Sequence, residues 1–179
     1  GRFGTAPMWV GPADGVAVRV LSASGQKPVD LSLATIDPGK TSDITPVAGS
    51  VAQPAIVPRS QWGAKKADSC DNPRYGPATS GAVIHHTAGK VEYSKAESPG
   101  IVRSAQAFHM GSRNWCDIGY NFLVDRYGTI YEGRDGGITK MVRAAHSGSS
   151  AVNENAIGVS LMGTFTTAQP TAEMKQSVV

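Results

Sequence analysis

The chain has 179 residues, 40% of them apolar, enough to bury a core in one domain or in a domain with a small companion module. Its uninterrupted apolar runs are only a few residues long, far short of the roughly 18 that cross a bilayer, which excludes a transmembrane helix. The net charge of +3 is scattered rather than gathered into Lys/Arg runs, so it fits a solvated surface better than a polyanion-binding tail, and no nucleic-acid partner is expected.

Arg2, Arg19, Lys27 and Lys40 balance Asp14, Asp30, Asp37 and Asp43, so the charge excess arises from residue 58 onward. All the histidines and both cysteines also lie after residue 69, and any chemistry is expected there. The chain opens GRFGTAPM, which is not a basic and apolar leader and leaves export open. In residues 1–45 Val16, Val18 and Val20, then Leu31 and Leu33, recur at period two and close on Asp37-Pro38-Gly39. This predicts a small β-rich segment with no catalytic residue in it. Residues 46–57 mix Pro, Gly, Ser and Ala without periodicity and read as a linker.

From residue 58 the pattern is mixed α and β. Residues 82–86 predict a short buried strand. "SPGIVRSAQAFHMG" predicts a helix with Ser98 as N-cap, Pro99 at the first helical position and Gly111 as its stop, burying Ile101, Ala105 and Phe108. His109 falls near the same face. "YNFLVDRYGTIYEG" predicts two strands around a tight Asp-Arg-Tyr-Gly loop, and "IGVSLMG" a further strand. "TAEMKQSVV" starts an amphipathic helix with Met174 and Val178 on one stripe and no C-terminal stop signal, as if the chain were cut inside it.

In "AVIHHTAG" His85 and His86 are neighbours on a strand, so their side chains point to opposite faces and one site can use only one of them. Cys70 and Cys116 fit zinc thiolates, free core thiols or a disulfide; no C-x-x-C spacing favours a metal, and in an exported protein the disulfide is the better reading.

The segments "IVPRSQWGA", "AVIHHTAG", "AFHMGSRNWCDIGYNFLVDRYGTIYEGRDG", "AAHSG" and "NAIGVSLMG" occur in this order. Together they resemble the type 2 N-acetylmuramoyl-L-alanine amidases and their relatives, the peptidoglycan recognition proteins, over residues 56–179. Actinobacterial members often carry an extra upstream β-rich segment, which points to a bacterial source. The resemblance implies an α/β domain over residues 58–179, a central mixed sheet flanked by helices, with a zinc-bearing groove for the stem peptide of peptidoglycan. It makes His85 the first zinc ligand, leaves His86 facing away, and gives Tyr120 the support of the metal-bound water and developing oxyanion.

By the same matching, Thr87, His109, Asn121, Arg134, His146 and Asn153 line the groove. Asn114 and Trp115 occupy the pair that touches the third stem residue, where relatives use Gly-Trp for diaminopimelate and Asn-Phe for lysine. Cys70 and Cys116 match a disulfide of animal members. The family takes its other zinc ligands from a later stretch resembling "GHRD" and "CPG", which does not occur up to Val179. The resemblance therefore implies a chain truncated at its C-terminus that carries one of three ligands for Zn2+. The expected function is that of a secreted or cell-envelope zinc amidase cleaving the N-acetylmuramoyl-L-alanine bond in the parent protein. The alternative is a non-catalytic peptidoglycan-binding module.

Overall fold

Strand-forming runs with period two need partners, and five of them pair into one mixed sheet of order β1-β4-β3-β5-β2 in the computed structural model, which describes residues 52–67 and 73–179. The strands are β1 (Ile56–Val57), β2 (Gly81–His86), β3 (Phe122–Val124), β4 (Ile130–Glu132) and β5 (Ala156–Leu161). β3 and β4 form an antiparallel hairpin, while β1 on β4, and β2 and β3 on β5, run parallel. The mixed sheet with helices is the expected α/β architecture.

The expected β-rich segment over residues 1–45 lies outside the described residues. The linker expected over 46–57 ends earlier than residue 57, because Ile56 and Val57 pair with Ile130 and Tyr131 as an edge strand. A second correction concerns β2. Among the described residues it is the opposite edge of the sheet rather than a buried strand: of these, β5 alone pairs with it, and Ile84 is 47% exposed.

The register divides the side chains between two faces. His85, Ser160, Leu123 and Tyr131 stand side by side on one face, since each is the register partner of the next. Helices α1 (Arg59–Trp62) and α2 (Ser98–Gly111) cover much of it, and Trp62, Tyr93, Val102, Ile118, Leu123, Tyr131 and Met162 form its core. On the other face Val124 and Leu161 pack on Met174 from α4 (Ala172–Gln176). A last helix, α3 (Ser150–Asn155), leads into β5 and is capped by the Ser149 hydroxyl. No helix of the described residues is long and apolar enough to cross a membrane.

Helix α2 has the expected span but not the expected start or face. Its N-cap is Glu97, not Ser98, because a short 3₁₀ turn (Lys95–Glu97) with a Ser94–Glu97 capping box precedes it. Hydrogen bonds from Ser94, and then Lys90, pull the Glu97 carboxyl down to about 2. The buried stripe is Ser98, Val102, Gln106 and His109, with Ile101 and Ala105 at its flank, whereas Phe108 points outward at 50% exposure. At the C-terminal end α4 does not run on to Val179. It closes at Gln176, where the Ser177 hydroxyl lies 2.8 Å from Gly128 O and 3.0 Å from Glu173 O and shares its one hydrogen between them.

The β3–β4 hairpin is built around Asp125, which is fully buried. Its carboxylate accepts from Tyr127 N (2.9 Å), Thr129 N (2.8 Å) and the Tyr131 hydroxyl (3.2 Å). Gly128 takes the positive φ of 77° that the tight turn requires. Burial and the Asp125 charge push the Tyr131 phenol up to about 12, so it stays a donor at all ordinary pH values. Asp125→Ala leaves these donors without their acceptor, and urea unfolding should show a loss of about 3 kcal/mol. A loss below about 0.5 kcal/mol, the range of an ordinary surface substitution, would show that the hairpin does not depend on the carboxylate.

Candidate functional site

The two histidines of β2 separate as strand geometry requires. His86 lies on the α4 face, where its Nδ1 accepts from Phe165 N (2.9 Å), a structural role. His85 lies on the α2 face. Its Nε2 is 2.9 Å from Nδ1 of His146, whose Nε2 is 3.1 Å from the Ala156 carbonyl. Burial, then the neighbouring His146 and His86, lowers the His85 pKa. Burial also lowers that of His146, against the opposing pull of Ala156. Both rings are therefore neutral at pH 7.

Three more rings complete the cluster. Tyr120, just before β3, has its ring centre 5.7 Å from His85 and 5.4 Å from His109. His109 reaches it because the buried stripe of α2 ends there. Trp115 stacks on His109 at 4.8 Å and remains 38% exposed. Two local features bring Trp115 back over the helix. Asn114 adopts the left-handed conformation (φ 53°), which Asn tolerates better than most residues, and Trp115 N donates to His109 O at 2.9 Å. Gly119 leaves the space, since a Cβ there would lie 2.7 Å from the Trp115 ring and 2.9 Å from Ala145 O.

The other expected groove residues have their polar groups engaged within the protein. Thr87 Oγ1 accepts from Gly163 N at 3.0 Å. The Asn121 amide donates to Val142 O (2.7 Å) and accepts from Gly158 N (2.8 Å). The Asn153 amide holds both backbone groups of Ser147, at 2.8 and 2.9 Å. Arg134 donates to Ile118 O (3.2 Å) and lies 3.3 Å from Cys116 Sγ, while Glu132 takes the Arg59 amide at 3.0 Å. Cys70 lies outside the described residues.

Asn121 and Arg134 also border a cavity of about 590 Å³. That cavity is not the ring cluster: its floor residues Phe122 and Ile157 share the sheet face of Val124 and Val159, opposite His85. Sequence reasoning missed Asp117, Gly119 and Gly158. A glycine inside the strand "AIGVSL" was the available signal for Gly158, because glycine there marks a close approach of another group.

Residues 75–179 match the family model described as N-acetylmuramoyl-L-alanine amidase. Peptidoglycan-recognition protein SC2 of Drosophila simulans is 40% identical over 120 residues, covering 67% of this chain and 61% of that protein. The chain thus spans about three fifths of that relative's length. Among solved structures, peptidoglycan recognition protein-LE in complex with tracheal cytotoxin, a monomeric diaminopimelic acid-type peptidoglycan, is 38% identical. The match has a TM-score of 0.61 and covers 69% of both chains. Human PGRP-IβC in complex with glycosamyl muramyl pentapeptide is 36% identical, with a TM-score of 0.61 and coverage of 70% of this chain and 71% of that one. These relatives are animal proteins, so the bacterial source expected from the sequence rests on the resemblance alone.

Burial, then the Arg113 and Arg134 charges, holds His109 below the ordinary imidazole value of 6.5, with Asp117 opposing. The folded state resists a proton that the unfolded chain accepts. Its contribution is therefore neutral above pH 6.5, and stability falls as pH drops from there toward the folded pKa. An NMR titration should place the His109 midpoint below 6.5, and urea unfolding between pH 7 and 5 should decline less steeply in His109→Gln. A midpoint at or above 6.5 would contradict the burial argument.

Proposed function

Because the chain belongs to the family of type 2 N-acetylmuramoyl-L-alanine amidases and peptidoglycan recognition proteins, we propose that its ring cluster binds the muramyl stem peptide of peptidoglycan. The observation that carries this reading is the convergence of His85, His109, Trp115, Tyr120 and His146 from separate segments onto one sheet face. Solved relatives with peptidoglycan fragments bound support it. Chemically the cluster suits an uncharged, polar chain. Aromatic faces pack against methyl groups and flat amides, and neutral imidazoles supply both a donor and an acceptor. Arg113 and Arg134, whose charges act on His109, add cationic character at its flank for a stem carboxylate.

Zinc-dependent cleavage of the N-acetylmuramoyl-L-alanine bond is the second reading. What favours it is the approach of the Tyr120 phenol to His85, where a phenol could donate to a developing oxyanion. The metal itself does not fit the described residues. Among them no group of three or more His, Cys, Asp or Glu side chains could hold an ion, and a catalytic zinc needs about three protein ligands. His85 also has its Nε2 against His146. We therefore assign binding, without hydrolysis, to the described residues.

We further propose a Cys70–Cys116 disulfide and a secreted or envelope location, where such a bond persists and peptidoglycan is met. Supporting it, no cysteine among the described residues is free, and the chain has 2.

Calorimetry should detect binding of a muramyl pentapeptide, and Trp115→Ala should weaken it about tenfold, or about 1.4 kcal/mol. With zinc added, an amine-release assay should show no free L-alanine terminus. Absence of muropeptide binding would sink the reading, and turnover with stoichiometric zinc would replace it with hydrolysis. Peptide mapping without reductant should recover residues 70 and 116 in one linked species. Two alkylatable thiols under oxidising conditions would remove the disulfide.

A further inference from the structure

The hydrogen-bond partners of the two cleft imidazoles fix which nitrogen of each carries the proton. A carbonyl only accepts, so His146 Nε2, 3.1 Å from Ala156 O, bears hydrogen. In a neutral ring the other nitrogen is then a lone pair. His146 Nδ1 therefore accepts, and His85 Nε2, 2.9 Å away, must donate to it. That leaves His85 Nδ1 as a bare acceptor. In His109 the logic is reversed in direction but equally determined. Gly119 N–H donates to its Nδ1 at 3.3 Å, so the ring proton sits on Nε2. Neither His85 Nδ1 nor His109 Nε2 has a partner among the described residues, and neither is among the buried polar atoms left unpaired, so both reach solvent. The two rings flank Tyr120 at 5.7 and 5.4 Å.

Resting on the muramyl-peptide reading, we infer that His85 and His109 form a preset acceptor–donor pair that reads a secondary amide of the ligand, with His146 and Gly158 as positioning residues for His85. An amide supplies N–H for the first and C=O for the second, whereas an ester lacks the N–H. Gly158 belongs to this device for a steric reason. A Cβ there would lie 2.3 Å from Cγ and 2.5 Å from Cδ2 of the His146 ring, so only glycine lets that ring lie on β5 within reach of the Ala156 carbonyl. The backbone of β5 thus orients His146, and His146 orients His85.

The test is ¹⁵N NMR of the 179-residue chain with labelled histidine at pH 8. Expected are protonated Nε2 and bare Nδ1 in both His85 and His109, with the His85 Nε2–H shielded from solvent exchange. Gly158→Ala and His146→Leu should speed that exchange at least about tenfold and leave His109 unchanged; His146→Asn, which keeps an acceptor at the δ position, should preserve the shielding. A weakened fold alone would not separate these variants in this way. Adding muramyl dipeptide should move the His85 Nδ1 and His109 Nε2 signals, and an analogue with the lactyl-alanine amide replaced by an ester should bind about tenfold less tightly. A His85 Nε2 without its proton, or a His109 proton on Nδ1, in the unliganded wild type would overturn the preset pair. Equal binding of amide and ester would overturn the reading of that amide. No binding of muramyl dipeptide, with the tautomers as stated, would refute the ligand assignment and uphold the pair.

Discussion

The arrangement of the cleft depends on one buried carboxylate, Asp117. It is fully excluded from solvent, and a charge in that position is tolerated only when it is paired and its lone pairs are occupied. The Arg59 guanidinium approaches to 3.1 Å, Gln106 Nε2 donates at 2.8 Å and Asp135 N at 2.9 Å. These partners come from α1, from α2 and from the loop after β4, so the carboxylate joins the elements that cover one face of the sheet. Gln106 lies one turn before His109, while Asp117 itself stands between Trp115 and Tyr120. Three of the five cleft rings are therefore placed by groups bonded to, or adjacent to, the same carboxylate. Arg59 extends the anchor to the sheet through the Gly133 carbonyl and lies 5.5 Å over the Trp62 ring.

A second layer of polar side chains shapes the cleft without being offered to it. Thr87, Asn121 and Asn153 each occupy backbone groups with their side chains: Gly163 N just past β5, Val142 O with Gly158 N inside β5, and Ser147 N and O in the loop before α3. Asn121 is the clearest case, because its amide bridges the loop at Val142 to β5 at Gly158 and so sets the strand on which His146 rests. Buried backbone groups need partners almost without exception, and supplying them from side chains is what permits irregular chain to line a site. Positions that line a groove by family matching can thus divide into rings that face a ligand and amides that hold those rings in place.

Local pattern carried much of the fold and little of the cleft. Strands β3, β4 and β5 and the span of α2 follow from periodicity and from Ser, Pro and Gly signals that act within a few residues. The outward turn of Phe108 and the edge position of β2 do not, since both are decided by which element packs alongside. The closing of α4 at Gln176 depends likewise on Ser177 meeting Gly128, 49 residues away in sequence. The cleft is more distant still: His85 and His146 are 61 positions apart, and Asp117 and Arg59 58. No spacing rule joins such residues. Family resemblance points to His85, Tyr120 and the groove residues, while the roles of Asp117 and Gly158 lie in contacts with distant parts of the protein that only the packing displays.

The Asn114-Trp115 pair, a hybrid of the two patterns seen in relatives, has a physical reading in this frame. The backbone at 114 must take a φ of 53° for Trp115 to fold back onto His109. Glycine and asparagine are the residues that adopt this conformation at least cost, and they are the two that the family resemblance implies for this position. The choice between them leaves the chain path unchanged and adds or removes one amide side chain beside the stacked ring. Trp against Phe at 115 changes the area of the exposed face over an unchanged support. The amide at 114 and the aromatic surface at 115 are thus laid on a common backbone, and the two can vary independently because the turn, not the side chains, holds the stack on His109.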